Sequence, residues 1–505
     1  MTPDEAYVQL VQRSRELATL NGIAAVLGWD QQTYMPKGGA HTRGEQMAWL
    51  ATAGHAKATD PAIGDWLSTC ESGDFIADQD SVVAANLREW RHAYDRATRL
   101  PARLVEEMAK VTTAAQEAWD EAKKESNFLH FAPHLQKVIE LKREESLALS
   151  TSATTHPYDV LLDEYEPGMT AADVKSIFAD LTAKLVPFIQ TLIDSPKQPD
   201  STIMDRDFPT DRQRMFAESA GAAVGFDYTG GRLDVTSHPF CTTFGPGDVR
   251  ITTRFNPRSL ESLFGVLHEA GHGMYEQGLP AERFGEPCGS YCSLGIHESQ
   301  SRLWENLIGR SRPFWEHFFP RLRQTFPTAL SGVSVDEFHF AINSVKRSLI
   351  RVDADEATYN LHVAMRFELE LALIDGSLRV ADLPCAWNAA IKRTLGMEVP
   401  DDRRGCLQDI HWSFGGVGYF PTYTLGNLYA AQFLKTARNA LPDLDRDMAR
   451  GSFHSLLFWL RENIHRHGRR YRAPELCRRV TGAKLSAQPF LDELSDRHGK
   501  LYGVS

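Results

Sequence analysis

Two histidines four residues apart, His268 and His272 with Glu269 between them in SLFGVLHEAGHGMYEQG, constrain this chain more than any other feature. On a helix that spacing sets the imidazoles about 40° apart around the axis and roughly 6 Å apart along it, so one cation can bind both while the glutamate stands beside it. The chemistry that fits is metal-dependent hydrolysis of a peptide bond. The flanks read as helix boundaries: Asn256 suits an N-cap, Pro257 the first helical position, and Gly278 with Pro280 a stop. Between them Leu260, Leu263, Phe264 and Leu267 recur at three- and four-residue spacing, which predicts one buried face with the histidines at its edge. A bare HExxH also arises in ordinary helices with its polar groups merely solvated, so the rest of the chain has to decide.

A catalytic cation needs a third protein ligand and one open position. The segment SLGIHESQSRLWENLIG offers a second helical pattern in which Leu294, His297, Ser301 and Trp304 share a face with Glu298 beside it. Glu298 is favoured as the third ligand, because a His, His, Glu set on two helices is an established catalytic arrangement. The alternatives are His297 as the ligand, or Glu298 as a surface carboxylate. Cys288 and Cys292 lie nearby, but no second cysteine pair completes a thiolate site. The expected cofactor is one divalent ion per chain, zinc, with cobalt or manganese able to occupy the same set of nitrogen and oxygen donors. Glu269 then has a task, taking the proton of a metal-activated water and passing it to the leaving amine.

Six short strings follow one another in order: His238-Pro239-Phe240, DVRIT from Asp248 to Thr252, HEAGH, HESQSRLWEN from His297, IRVDAD from Ile350 to Asp355, and GCLQDIHW from Gly405 to Trp412. Together they resemble the thermostable carboxypeptidase Taq family of metallocarboxypeptidases over nearly the whole chain, with no departure at the HExxH or HES positions. The resemblance implies His268, His272 and Glu298 as metal ligands, release of single amino acids from the free C-termini of peptides, and a homodimer. It also implies a mainly α fold, a two-lobed helical body with a deep active-site cleft, similar to neurolysin and to angiotensin-converting-enzyme-like peptidases. Residues 1–505 would form a single catalytic domain, with the helices of 1–150 covering one side of the cleft.

A carboxypeptidase must read a terminal carboxylate, and the planar fork of arginine does this best. Arg250 in DVRIT and Arg351 in IRVDAD are the candidates, each also readable as a structural ion-pair partner. The resemblance favours Arg351, whose motif in these enzymes helps close the cleft and restrict attack to chain ends. By similarity to helical zinc peptidases, Tyr423 in GYFPTYTLGN is placed to donate to a developing oxyanion. His238 and His411 are the other candidate donors, and His411 is also a candidate substrate contact. Each histidine is equally readable as a satisfied turn or core residue.

At 505 residues the chain exceeds the size usual for one compact core, so two lobes are expected. A formal charge of −11 argues against a nucleic-acid or anionic-membrane partner. The N-terminus lacks the apolar stretch of a secretion signal, and no apolar run is read as long enough to span a bilayer. Seven scattered cysteines favour reduced thiols in a cytoplasmic setting.

The first 150 residues show amphipathic helical spacing, as at Tyr7, Leu10, Val11 and Leu17 and at Leu104, Val105, Met108 and Val111, broken near Pro36, Gly38, Gly39, Pro61 and Pro101. Ser195 to Pro209 reads as a loop. FDYTGGRLDV and DVRITTRF, with a Gly230-Gly231 turn, read as a small antiparallel sheet beside the HExxH helix, a candidate rail for an extended peptide. HExxH alone leaves an endopeptidase or dipeptidase open. A non-catalytic peptide- or metal-binding protein is a further alternative, and it gives Glu269 no task.

Overall fold

Proline and glycine punctuate the N-terminal helices where the sequence says they should. Helices Pro3–Thr33, Ala40–Ala58, Pro61–Glu71, Val82–Arg99 and Ala102–Glu125 are separated at Pro36 to Gly39, before Pro61 and at Pro101. Thr2 accepts from Glu5 N–H while Glu5 bonds back, a capping box that starts the first helix, and Asp60 caps the third by accepting from Ala62 N–H. Ala6 and Leu10 of the first helix pack with Ile63, Leu67, Cys70 and Leu87. The computed structural model describes residues 1–152 and 154–504, and helices dominate them.

Two compact units divide the chain, and the backbone passes between them repeatedly. One comprises Met1–Ala97, Pro199–Ile342 and Ala430–Lys484; the other comprises Thr98–Gln198, Asn343–Tyr429 and Leu485–Ser505. Residues 1–150 are thus shared between the two units.

In the first unit the sheet has three strands, β1 (Gly231–Val235), β2 (Cys241–Gly245) and β3 (Asp248–Thr253), in the order β1-β3-β2. It is mixed, which corrects the expected antiparallel pair. β3 runs antiparallel to β2 but parallel to β1, with Leu233 opposite Ile251. The hairpin turn is therefore at Gly245 to Gly247, both glycines at positive φ, and β2 was not foreseen because CTTFG carries no clear apolar alternation. Gly231 opens β1 instead of turning the chain: a Cβ there would come within 2.5 Å of the Phe226 ring and 2.8 Å of the Val249 carbonyl. With β3 in the middle, only β1 and β2 present edges. Arg214 donates to the outer carbonyl of Leu233 on β1.

In the second unit, helix Ala171–Asp194 is long and apolar enough by length and composition to cross a membrane, contrary to the expectation of no such run. Its Val174, Phe178, Leu181, Leu185, Ile189 and Leu192 recur at helical spacing and are buried in the protein core.

Candidate active site

The HExxH helix spans Glu261–Glu276, one turn shorter at its start than the flanking residues predict. Asn256 spends its side chain on Arg258 N–H, capping the preceding turn, and Ser259 Oγ accepts from Glu261 N–H instead. Leu263, Phe264, Val266, Leu267, Ala270 and Met274 are buried, and the Phe264 ring packs on Trp315 and under the Arg310 guanidinium. This anchors the helix so that His268 and His272, with side chains 19% and 16% exposed, stand at the rim of the apolar face. Their rings meet edge to face at 4.9 Å. Gly271 has a separate task, because a Cβ there would approach Gln300 O and Ser301 Cα to 2.6 Å. The missing side chain lets a second helix come close.

That helix, Leu294–Arg302, starts at Ser293, whose hydroxyl accepts from Ile296 N–H. It carries Glu298, whose Oε2 lies 3.8 Å from His268 Nε2 and 3.5 Å from His272 Nε2. One donor atom from each of the three residues lies within 4.8 Å of the others. The other oxygen of Glu298 accepts from Arg302 Nε at 2.7 Å, and Ser301 donates to Oε2 at 3.2 Å. The carboxylate is therefore aimed before any ion is considered.

The chain then passes into a π-helical turn, Leu303–Ile308, with Gly309 N–H bonding back five residues to Trp304 O. The wider turn brings Glu305 to His268 Nδ1 at 2.8 Å, and Arg302 Nη1 also donates to Glu305. Each imidazole thus has its far nitrogen engaged, as metal-binding histidines almost always do. His297 is placed behind the site: its Nδ1 faces His272 Nδ1, and its Nε2 faces Glu276. Glu298 therefore joins the two histidines in the converging set of donor atoms, and His297 stands behind it.

The electrostatics fit a cation. Burial opposes charge on His268, yet Glu298, Glu305 and Glu269 raise it to about 9, while burial pushes His272 down to about 3. Burial would raise Glu298 and Glu305, but Arg302 and His268 hold Glu298 well below the carboxylate range and Glu305 at about 2. Buried carboxylates converge here, with Arg302 bonded to two of them, and the donor set of two nitrogens and one oxygen suits a divalent ion. Glu269 differs from its neighbours. Among the described residues it makes no hydrogen bond, and burial, together with Glu298 and Glu305 and against the pull of His268, raises it to about 7.

The family model for carboxypeptidase Taq (M32) metallopeptidases matches residues 9–498. The chain belongs to that family. It is 47% identical to thermostable carboxypeptidase 1 of Thermus thermophilus over 511 residues, covering 100% of both chains. It is 34% identical to carboxypeptidase 1 of Bacillus subtilis, covering 99% of both. The crystal structure of the M32 carboxypeptidase from Deinococcus radiodurans matches with a TM-score of 0.95 at 43% identity, covering 99% of this chain and 100% of that one. This M32 chain is accordingly a metallocarboxypeptidase, a hydrolase that depends on a divalent metal and acts on peptides.

The remaining sequence candidates fall in two places. Arg250, in the same unit as the HExxH helix, makes paired bonds to Asp248 at 2.9 and 3.0 Å and stacks on Trp29 and Phe244, which consumes its fork. His238 is exposed in the β1–β2 loop, with no hydrogen bond among the described residues. Arg351, His411 and Tyr423 meet in the second unit of this M32 enzyme. Arg351 Nε donates to Asp409 with Nη2 2.9 Å from the same carboxylate, and its Nη1 donates to Tyr359, so its fork is as fully engaged as that of Arg250; its guanidinium lies 5.1 Å from the Tyr423 ring centre. His411 Nε2 is 3.1 Å from the Tyr423 hydroxyl, and burial pushes this histidine down to about 4. Asp409 also accepts from the fully buried Arg366, so two guanidinium groups share one carboxylate. Glu305, Arg302, Glu276, Asp409 and Tyr359 were missed as site residues. Acids and arginines are common in helices, and only the string HESQSRLWEN hinted at the first two.

Below His411, Glu370 accepts from Tyr158, Trp412 Nε1 and Gly418 N–H. Burial raises it to about 7 from an ordinary 4.5, despite those donors. Between these values the folded protein holds a proton that the unfolded chain has lost. The contribution to stability is therefore present below about pH 4.5 and is lost as pH rises through about 7. Replacing Glu370 by Gln should flatten the fall in unfolding free energy over that window by an amount on the order of 3 kcal/mol. Denaturant melts of both proteins at pH 5, 6 and 7 check it, and parallel curves would contradict it.

Proposed function

We propose that this M32 carboxypeptidase removes single residues from free peptide C-termini, with His268, His272 and Glu298 holding one zinc ion. Cobalt or manganese would suit the same donors. The ion, when bound, supplies a Lewis acid that makes water a better nucleophile and polarises the scissile carbonyl. The chain's own residues account for the proton. Glu269 accepts it from the attacking water and returns it to the leaving amine. The observation that carries this is a buried carboxylate, with no hydrogen bond among the described residues, on the same helical turn as two of three converging donor residues.

For the chain end we propose Arg351. Two arginines around Asp409 leave the cluster with a net positive charge, His411 being neutral near pH 7, and that suits a carboxylate. Tyr423, steadied by His411, is proposed as the donor to the oxyanion, with His238 as the alternative. β2 is the better candidate rail, since it is an edge strand and the other edge strand, β1, already has its Leu233 carbonyl bonded by Arg214. A cytoplasmic setting is proposed on the seven unpaired cysteines, and a homodimer on the resemblance alone.

Paired peptides, one with a free and one with an amidated C-terminus, test the reading. The free peptide should lose residues one at a time while the amidated one is cut at least about tenfold more slowly, the worth of one or two charge-assisted hydrogen bonds. Equal rates would point to an endopeptidase with the same chemistry.

A further inference from the structure

The two histidines of HExxH are braced in different ways. His268 meets a carboxylate directly, at Glu305, whereas His272 meets a second imidazole whose far side meets Glu276. We propose that His297 is a positioning residue that fixes the tautomer and aim of His272, and so tunes how tightly the site holds its ion. This rests on the reading of His268, His272 and Glu298 as the ligands.

His272 Nδ1 and His297 Nδ1 are 2.6 Å apart, which requires one proton between them, since two N–H groups or two lone pairs would repel. His272 turns Nε2 toward Glu298, so Nε2 must keep its lone pair for the ion and the proton must sit on Nδ1. His297 Nδ1 is therefore the acceptor. Its own proton is left on Nε2, where it is donated to Glu276 Oε1 at 2.8 Å. Every proton in the chain is thus directed away from the ion and toward a carboxylate.

Geometry makes the relay rigid. Glu276 lies one turn beyond His272 on the same helix, so the chain leaves that helix, crosses to His297 and returns. Tyr275 and Tyr291 hold the His297 ring edge-on, each with centroids at 5.1 Å. His297 also immediately precedes Glu298, so one short stretch supplies a ligand and the brace of another ligand.

The test titrates zinc alone against a competing chelator, using the full chain as wild type, His297→Leu, His297→Asn and His272→Ala, and measures unfolding of each chelator-treated protein. A leucine side chain has no acceptor, so in His297→Leu zinc affinity should fall by about 10–100-fold, the usual effect of losing an outer partner. Asparagine can accept from His272 near the former Nδ1 position and should recover most of that loss, with chelator-treated unfolding midpoints close to wild type. Unchanged zinc affinity in His297→Leu overturns the proposal. So does failure of His297→Asn to recover it, or a loss that simply follows lowered chelator-treated stability. If His272→Ala binds zinc like wild type, the ligand assignment itself falls instead.

Discussion

Replacing Glu269 by Gln is expected to cut peptide turnover by about 10²–10⁴-fold, the range for losing a positioned proton-transfer group, while leaving metal content unchanged. The substitution keeps the size and nearly the shape of the side chain. It removes a buried carboxylate that the proposed reaction uses to take a proton from water and give it up again. Glu269 is not one of the three converging donors, and among the described residues no hydrogen bond holds it in the structure, so the variant has little other reason to fail. Single-turnover rates and metal analysis of the same preparation check it. Turnover within a few-fold of wild type would remove Glu269 from the reaction.

Replacing Glu298 by Gln should act on the ion instead. Its Oε2 is the only carboxylate oxygen in the donor triad, and the amide nitrogen that takes one oxygen's place cannot bind a cation. Affinity should fall by more than the roughly 10–100-fold typical of outer-shell changes. Stability offers an independent readout. A protein at 100 times its dissociation constant gains about 2.7 kcal/mol from ligand binding, and a 100-fold weaker site at the same metal concentration gains only about 0.4 kcal/mol. Unfolding with and without added zinc should therefore show a large metal-dependent shift in wild type and little in the variant. An equal shift in both would place the third ligand elsewhere.

These two substitutions also mark what kind of residue can be read from a linear chain. The convergence of His268, His272 and Glu298 was legible because side chains on helices obey a fixed rise and rotation, and because metal chemistry needs those residue types at that spacing. Helix boundaries near proline and glycine were legible for a similar local reason. The sheet was only half legible. Apolar alternation marked β1 and β3, but whether strands run parallel or antiparallel depends on where β2 inserts, and nothing local records it.

His297 shows the limit from the other side. As a sequence it was a rival to Glu298 for the ion. Only the packed pair of helices, brought close by Gly271, shows that it faces the back of His272. Arg250 and Arg351 were equal candidates by residue type, and only the fold shows their partners: Arg250 is paired with Asp248, and Arg351 shares Asp409 with Arg366.

The sequence by itself determined the chemistry: two histidines and a glutamate in helical register, a second glutamate in a helical pattern nearby, and a set of ordered strings that assign the family. The tertiary structure alone decided the bracing of that chemistry, meaning Arg302 on Glu298, Glu305 on His268 and His297 with Glu276 on His272. Helical periodicity is a property of neighbouring residues and survives in the linear order. A hydrogen bond between residues on two helices depends on how closely the helices approach and on the turn between them, here set by one missing Cβ and one widened π turn.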